Sequence, residues 1–288
     1  RAGTWHRYAF EVLDQSATVT DTSEVGRFRT AIAADSRERL TFGAVSCTMF
    51  GMPFATLARA AENAALDAFV LLGDVCYTDG CATRGEYRAR WQQTLATREY
   101  RALRRSTSII PQWDDHEIRN NWDGDSVLPE LYDSAREAFL EHEPLRYDAL
   151  QPNRFWRKLS WGRTVELFVL DSRSERNRAR KEYLSAEQAD WLTRGIAESR
   201  AAFKLVLNTV PIGQFDTAFF QPFKDDMWQA FPEQRRAVLQ AIDDSQARGV
   251  IWLSGDFHLA SVGRISRSGP GASAPGLAAS RSLKRSTA

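Results

Sequence analysis

The stretch DAFVLLGDVCY (67–77) decides the fold, because it contains an unbroken apolar run that ends in a Gly-Asp pair. Short continuous apolar runs are typical of strands buried inside a parallel sheet. Immediately upstream, PFATLARAAENAAL (53–66) predicts a helix whose apolar residues recur on one face. Before that helix, RLTFGAVS (39–46) predicts a strand that ends on Cys47. Strand, helix and strand in this order predict a parallel sheet covered by helices.

Elements of both kinds alternate over the following residues. Helices are predicted over about 84–104, over 131–141, from a capping box at Ser185 and Gln188, and over 232–248; strands are predicted over 107–115, 154–161, 164–171, 203–210 and 250–256. This alternation between residues 40 and 256 is typical of a layered α/β domain.

The two ends of the chain have a different character. Residues 7–14 and 25–33 predict strands joined by a polar turn. After Ala260 there is no acidic and no aromatic residue, and 18 of the last 28 residues are Ser, Gly, Pro or Ala. Such a segment buries too little apolar area to become ordered. The predicted organisation is an N-terminal β segment (1–36), an α/β domain (37–260) and a disordered basic tail (261–288).

Charge divides unevenly between these parts. The 38 Lys and Arg and the 37 Asp and Glu give a net charge of +1, but the 33 basic and 37 acidic residues up to Ala260 give −4. This balance argues against a dedicated nucleic-acid binder, and no apolar run is long enough to span a bilayer. Three cysteines are too few for a disulfide framework. A single disulfide, for instance between Cys76 and Cys81, is left as an open alternative.

Polar side chains follow the predicted strands at the point where each strand ends. The strings at these ends are VSC, LLGDVCY, QWDDHE, VLDSR, LNTV and LSGDFH. In open α/β sheets ligands bind outside the carboxyl ends of the strands, so six such ends point to one location. A turn or a helix cap would explain an Asp at one or two of them. It would not explain a Cys, a Tyr and two His residues as well.

The residue types at these ends favour a metal site. Aspartates such as Asp74 and Asp115 offer hard oxygen ligands, and His258 offers a nitrogen ligand. Deprotonated thiol and phenol groups suit a trivalent iron, which adds Cys47 and Tyr77. Several carboxylates can hold two cations with one carboxylate bridging them. Such a pair activates water and binds the oxygens of a displacement at phosphorus.

The sequence also resembles a known family. Five strings match, in order and spacing, the motifs of the alkaline phosphatase D (PhoD-like) family of the metallophosphatase superfamily: GAVSC (43–47), LLGDVCY (71–77), QWDDHEIRNNW (112–122), LDSRSER (170–176) and LSGDFH (253–258). The resemblance implies a four-layer α/β/β/α sandwich, preceded in residues 1–36 by remnant strands of an N-terminal β-sandwich. It further implies hydrolysis of phosphate monoesters or diesters by in-line attack of metal-bound hydroxide, with Fe³⁺ and Ca²⁺ or other divalent metals, in a periplasmic or secreted protein.

The resemblance assigns roles to single residues. Asp74 matches a bridging aspartate, and Cys47 and Tyr77 resemble iron ligands. His116 matches the residue that contacts the phosphate and protonates the leaving group. The remaining matches are Asp115, Asp256, His258, Asp171 and Asn208 in the metal site, with Asn121 and Arg173 as further catalytic candidates. Arg173 is expected to bind phosphate oxygens, Asp114 to be structural, and Glu117 to orient a neighbour.

Two alternatives stay open beside a phosphoesterase that acts on a small-molecule phosphate ester. The chain starts late relative to the family pattern and ends in a Ser/Gly/Ala/Arg segment, so it could be a truncated homologue that binds metal or phosphate with negligible turnover. An α/β domain whose site is unrelated to phosphate is the second alternative. Metal analysis combined with a phosphatase assay separates all three.

Overall fold

The structure, a computed structural model, describes residues 1–148, 150–215 and 223–279, with the backbone alone for Ala279. Within these ranges the strands are β1 (Trp5–Tyr8), β2 (Glu11–Leu13), β3 (Val19–Thr22), β4 (Gly26–Arg29), β5 (Phe42–Val45), β6 (Ala68–Leu72), β7 (Ser108–Gln112), β8 (Arg157–Trp161), β9 (Val165–Val169), β10 (Phe203–Leu207), β11 (Val250–Ser254), β12 (Ala260–Arg264) and β13 (Pro275–Ala279). The α-helices are α1 (Ala55–Glu62), α2 (Arg84–Leu95), α3 (Arg98–Ser106), α4 (Pro129–His142), α5 (Ala186–Glu198) and α6 (Pro232–Asp244).

Strands β5, β6 and β7 form a parallel sheet in that order. Every residue of β6 is buried, as its apolar run predicts. Phe69 and Leu71 pack against the side covered by α1 to α4. Ala68, Val70 and Leu72 pack on the opposite side, because successive residues of a strand face opposite sides of the sheet.

The second sheet has the strand order β12-β13-β11-β10-β9-β8. Its inner strands β9, β10, β11 and β13 run parallel, and β8 and β12 are antiparallel edges. Helices α5 and α6 cover its outer face, where Leu192, Ile196 and Val238 belong to one buried cluster with Phe168 and Trp252. The alternation of strand and helix therefore produces a second sheet–helix pair.

The inner faces of the two sheets meet in a third cluster. Val70 and Leu72 of β6 pack there with Leu167, Val169 and Leu207 of the second sheet. Burial of an aliphatic side chain of this size stabilises the fold by about 1.5–3 kcal/mol. The layers run helix, sheet, sheet, helix, which confirms the predicted four-layer sandwich.

The helices predicted over about 84–104 are present as α2 and α3. One detail of another helix differs from the sequence prediction. The capping box predicted at the start of α5 forms only in part, since Ser185 Oγ accepts a hydrogen bond from the backbone N–H of Gln188 at 3.2 Å. The Gln188 amide group bonds instead to the backbone of Asp171, at 2.9 and 3.0 Å. It thereby fixes the loop that follows β9.

A β-ribbon precedes the two sheets. β1 pairs antiparallel with β4, and β2 pairs with β3, so the strand predicted over 7–14 is interrupted between β1 and β2. Arg29 joins the ribbon to the body through ion pairs with Glu38 at 2.7 Å and Asp67 at 2.6 Å. No helix in the described ranges combines the length and the apolar character needed to cross a bilayer.

The C-terminal residues overturn one prediction. β12 and β13 lie in the segment expected to be disordered from residue 261 onward. β13 pairs with both β11 and β12, and Ile265 and Ala278 are buried. The prediction of disorder is wrong for residues 261–279 because pairing with an existing strand satisfies backbone groups without large side chains. Residues 280–288 of the predicted tail lie outside the described residues.

Candidate metal centre

The candidate site lies at the carboxyl ends of strands from both sheets. Cys47 follows β5 and Asp74 follows β6, while Asp115 follows β7. From the second sheet, Asn208 comes directly after β10, and Asp256 follows β11. These ends meet because the strands are parallel and the two sheets are packed face to face.

Two glycines allow the strand ends to approach so closely. A Cβ atom at Gly73 would lie 2.4 Å from the Cβ of Asp114, and the backbone φ of Gly73 is +82°. A Cβ atom at Gly255 would lie 2.5 Å from the Cβ of Ser46. Both distances are prohibitive for any other residue. Glycine therefore precedes Asp74 and Asp256 for a steric reason.

Among the residues that the structure describes, there are three groups of side chains, and within each group the ligand atoms lie within 4.8 Å of one another. The groups are Cys47, Asp74 and His258; Asp74, Asp115 and His116; and Asp74, Asp114, Asp115 and Asp256. Six of the residues predicted from the sequence are thus brought together, and Asp114 is added. Asp74 belongs to all three groups, as a carboxylate shared between cations would.

The carboxylates crowd one another in a buried space. Burial raises the pKa of Asp74 well above its ordinary value, and the nearby Asp115 and Cys47 raise it further. Burial and the charges of Asp114 and Asp115 raise the pKa of Asp256 in the same way. Burial also raises the pKa of Asp114 to about 6, although Arg173 opposes the rise. A bound cation would reverse this balance by favouring the ionised carboxylates.

Three oxygen atoms in or beside these groups are buried without a hydrogen-bond partner among the described residues. They are Oη of Tyr77, Oδ1 of Asn208 and Oδ2 of Asp114. An unpaired buried polar atom costs about 1–3 kcal/mol. Carboxylate, amide, phenol, thiol and imidazole groups are all ligands that proteins offer to metals. The residues present therefore fit a metal centre, and coordination would satisfy all three atoms.

Asn208 lies close to the carboxylates through its neighbour. The Oγ1 atom of Thr209 donates a hydrogen bond to Oδ1 of Asp114 at 2.8 Å. Tyr77 lies on the other side, where its ring stacks on the ring of His116 with centroids 4.0 Å apart. Burial and the nearby Asp74 raise the pKa of the Tyr77 phenol. Only a strong Lewis acid would hold this group as a phenolate at neutral pH.

His116 is oriented by a residue that the sequence analysis missed. Its Nδ1 atom lies 2.6 Å from Oδ2 of Asp79, and Oδ1 of Asp79 accepts a hydrogen bond from the backbone of Asn120 at 2.7 Å. Burial lowers the pKa of His116, but the hydrogen bond to Asp79 and the charges of Asp115 and Asp79 outweigh it, so the pKa is raised. With Nδ1 bound to Asp79, Nε2 is the nitrogen left to act on a substrate.

Glu117 fixes the loops that carry these residues. Its carboxylate accepts hydrogen bonds from the backbone N–H groups of Asp74 at 3.1 Å, Val75 at 2.6 Å, Cys76 at 3.1 Å and Asp114 at 2.8 Å. Glu117 is fully buried. The expected orienting role is thus visible in its contacts. Cys76 and Cys81 are both free thiols, so the alternative disulfide is not formed.

Arg173 lies behind the carboxylates and is fully buried. Its guanidinium group is 2.5 Å from Oδ1 of Asp114, 2.7 Å from Oδ1 of Asp226 and 3.7 Å from Oδ1 of Asp115. Asp226 also pairs with the buried Arg176 at 2.7 Å. The expected contact of Arg173 with phosphate oxygens stays a prediction. In this structure Arg173 holds Asp114 and balances the negative charge of the carboxylates.

The predicted roles of Asp171 and Asn121 stay predictions, and the structure shows the following contacts for them. Oδ1 of Asp171 accepts hydrogen bonds from Trp113 Nε1 at 3.1 Å and from the backbone of Arg173 and Ser174. Asp171 joins none of the ligand groups found among the described residues. Asn121 contributes its backbone N–H, which donates to Oδ2 of Asp115 at 2.6 Å. Both residues therefore shape the loops around the centre.

The backbone of the site is strained. Cys47, Asp74, Asn121, Asp256 and His258 all have a positive φ, between 53° and 64°. This left-handed conformation costs residues other than glycine about 1–2 kcal/mol each. Such strain collects at functional sites, where the surrounding structure holds it in place. It aims the ligand atoms at a common point.

Comparisons with known proteins agree with this geometry. The profile of the family described as PhoD-like phosphatase matches residues 42–280. Alkaline phosphatase D of Bacillus subtilis strain 168 is 25% identical, with 82% of this chain and 49% of the relative covered. The chain thus spans about half the length of that curated relative.

Two solved structures share the fold. The structure titled as that of PhoD has a TM-score of 0.84 at 21% identity and is matched over 97% of this chain and 62% of its own. A purple acid phosphatase from yellow lupin (Lupinus luteus) seeds has a TM-score of 0.66 at 13% identity, over 96% of this chain and 50% of its own. With the family profile matched over most of its length, the chain belongs to the PhoD-like phosphatase family.

Proposed function

We propose that this chain is a metal-dependent phosphoesterase that hydrolyses small phosphate monoesters, diesters or both. The observation that carries the proposal is that Asp74 belongs to each of the three groups of potential ligands found among the described residues. Membership of the PhoD-like phosphatase family supports the same reaction.

The donors divide into two chemical classes. Cys47, Tyr77 and His258 offer thiolate, phenolate and imidazole groups, which suit Fe³⁺ together with Asp74. Asp115, Asp256 and Asn208 offer only oxygen atoms, which suit Ca²⁺. Bound cations of this kind supply Lewis-acid activation of water and neutralise charge on phosphate oxygens.

The chain's own residues supply the rest of the proposed in-line displacement. His116 holds a proton at Nε2 for the oxygen of the leaving group. Asp79 fixes the ring through Nδ1 and favours its protonated form. Arg173 and Glu117 keep Asp114, Asp115 and the loop of Asp74 in position. Tyr77 stacks on the imidazole ring and limits its rotation.

The proposal predicts turnover of model esters by the metal-loaded protein. Protein loaded with Fe³⁺ and Ca²⁺ is expected to release p-nitrophenol from p-nitrophenyl phosphate, from bis(p-nitrophenyl) phosphate or from both, and chelation is expected to abolish the release. Elemental analysis of the same sample gives the bound metal. A folded, metal-loaded protein that turns over neither ester would refute the proposal and favour a binding protein without turnover.

Replacement of His116 should slow the reaction without emptying the site. His116→Ala is expected to lower kcat by about 10²–10⁴-fold, the usual contribution of a general acid. Asp79→Asn keeps a hydrogen-bonding side chain but loses the charge, and is expected to lower kcat by about 10–100-fold. Steady-state kinetics and metal content check both variants.

The matched control is His6→Ala, which removes a histidine from the N-terminal ribbon, where its ring stacks on Phe28. It should leave kcat unchanged. Loss of bound metal in His116→Ala would mean that this residue is a ligand and not the acid. Full activity in His116→Ala would remove it from the mechanism altogether.

A further inference from the structure

A short apolar turn follows the thiol of Cys47. The sequence CTMFGMPF (47–54) places Met49, Phe50 and Met52 in a turn that is closed by a hydrogen bond from the Met52 N–H to the Met49 carbonyl at 3.3 Å. The three side chains are 44%, 42% and 41% exposed. The turn thus presents three large, partly exposed apolar side chains within four residues, which we call the apolar patch.

The turn is held against the loop of Asp74. The backbone N–H of Thr48 donates to the Asp74 carbonyl at 2.8 Å. At the other end of the turn, the Phe54 ring packs edge-on against Tyr100, with centroids 5.5 Å apart. Thr48 and Tyr100 also join through their hydroxyl groups. Both ends of the turn are therefore anchored, and the first end lies next to Cys47 and the loop of Asp74.

Apolar side chains border the centre from the second sheet as well. Phe257 lies between Asp256 and His258 in the sequence and packs edge-on against Phe215, with centroids 5.3 Å apart. Both rings are only partly buried. The ligand loops of both sheets thus carry large apolar groups next to the residues that would hold the cations.

An exposed apolar patch that follows a predicted metal ligand in the sequence is a candidate binding surface for an apolar group. Single exposed apolar residues are common, but contiguous patches mark places where apolar partners bind. Methionine side chains are unbranched and adapt to ligands of different shape.

We propose that Met49, Phe50 and Met52 bind the apolar ester group of the substrate, so that the site prefers phosphate esters of alkyl or aryl alcohols over those of small polar alcohols. This inference rests on the proposed phosphoesterase function, because the esters are substrates only if the protein hydrolyses them. The binding preference itself is measurable without turnover.

The test uses alkylphosphonates, which resemble phosphate monoesters but are not hydrolysed. Dissociation constants of methyl-, butyl- and hexylphosphonate are measured by calorimetry on the protein loaded with Fe³⁺ and Ca²⁺. Full burial of a CH₂ group strengthens binding about fourfold, and contact with an open patch gives roughly half that effect. We therefore expect about a 30-fold tighter binding of hexyl- than of methylphosphonate.

Variants identify the residues responsible. Phe50→Ser, and the double change Met49→Ser with Met52→Ser, should reduce the methyl-to-hexyl ratio to about threefold or less, while Phe50→Leu should retain most of it. The matched control is Phe203→Ser. The Phe203 side chain is 49% exposed, and Phe203 is the first residue of β10, at the end of the strand opposite to the candidate metal centre. It should keep the wild-type ratio.

The outcomes separate the two proposals. Equal binding of all three phosphonates, or an equal loss of the ratio in Phe203→Ser and Phe50→Ser, overturns the inference. Turnover of p-nitrophenyl phosphate or its bis-ester with equal phosphonate binding overturns the inference alone. Chain-length dependence without turnover of either ester keeps the apolar binding patch and removes the proposed function.

Discussion

Asp74→Asn is expected to reduce phosphoesterase turnover to the rate of the reaction without protein. Asp74 is the member common to all three groups of potential ligands, so its loss affects every cation that the site could hold. An amide has nearly the shape of the carboxylate but no charge, and it cannot bridge two cations in the same way. Elemental analysis should show a parallel fall in bound metal.

The control for this variant lies at the other end of the same strand. Asp67 precedes β6, is also buried, and accepts hydrogen bonds from Arg29 at 2.6 Å and from the Thr41 N–H at 2.7 Å. Asp67→Asn should cost about 1–3 kcal/mol of unfolding free energy but keep metal content and turnover. If Asp74→Asn retained both the metal and the activity, the assignment of Asp74 as the shared ligand would be wrong.

Asp226→Asn is expected to destabilise the fold by about 3–5 kcal/mol, because it removes the anion from a buried charge cluster. Asp226 pairs with Arg173 and Arg176, and both arginines have fully buried side chains. Without Asp226, Arg176 would keep only backbone acceptors such as the Ser172 carbonyl at 2.9 Å. Urea unfolding at neutral pH measures the difference.

The adjacent Asp225 supplies a matched control. Asp225 is exposed, and substitutions at such positions usually change the unfolding free energy by less than about 0.5 kcal/mol. Asp225→Asn should therefore unfold like the wild type. Equal stability of Asp226→Asn and Asp225→Asn would show that the cluster contributes nothing to the fold.

The contribution of Asp226 to the free energy of unfolding should decrease at low pH. Burial raises the pKa of Asp226, but the charges of Arg173 and Arg176 outweigh it and lower the pKa to about 2. Its stabilising contribution is fully present above its unfolded pKa of about 4 and is lost as the pH falls through about 2. The gap in unfolding free energy between wild type and Asp226→Asn should therefore narrow as the pH falls below about 4.

The convergence of the candidate ligands could be predicted from the sequence. Cys47, Asp74 and Asp115 each follow a strand of one parallel sheet, and Asp256 follows a strand of the other. Parallel strands place their carboxyl ends at one edge, so the order of elements along the chain is enough to bring these residues together. No knowledge of side-chain contacts is needed for this step.

The supporting contacts could not be predicted in the same way. Asp79 lies in a turn, and only the folded backbone brings its carboxylate to His116. Asp226 precedes α6 and reaches Arg173 from 53 residues away. The sequence also favours Asp171 as a ligand, since it ends a strand like the others, but its carboxylate bonds to Trp113 and to its own loop. Strand ends predict where a residue lies and leave open which way its side chain turns.

The left-handed backbone at Cys47, Asp74, Asn121, Asp256 and His258 has a consequence for engineering. Glycine adopts this conformation without steric penalty. Substitution of any of these residues by glycine can therefore raise the free energy of unfolding by about 1–2 kcal/mol. A directed-evolution screen that rewards survival at high temperature alone would enrich glycine there and discard the ligands one by one. A screen for a heat-resistant catalyst must select for turnover in every round.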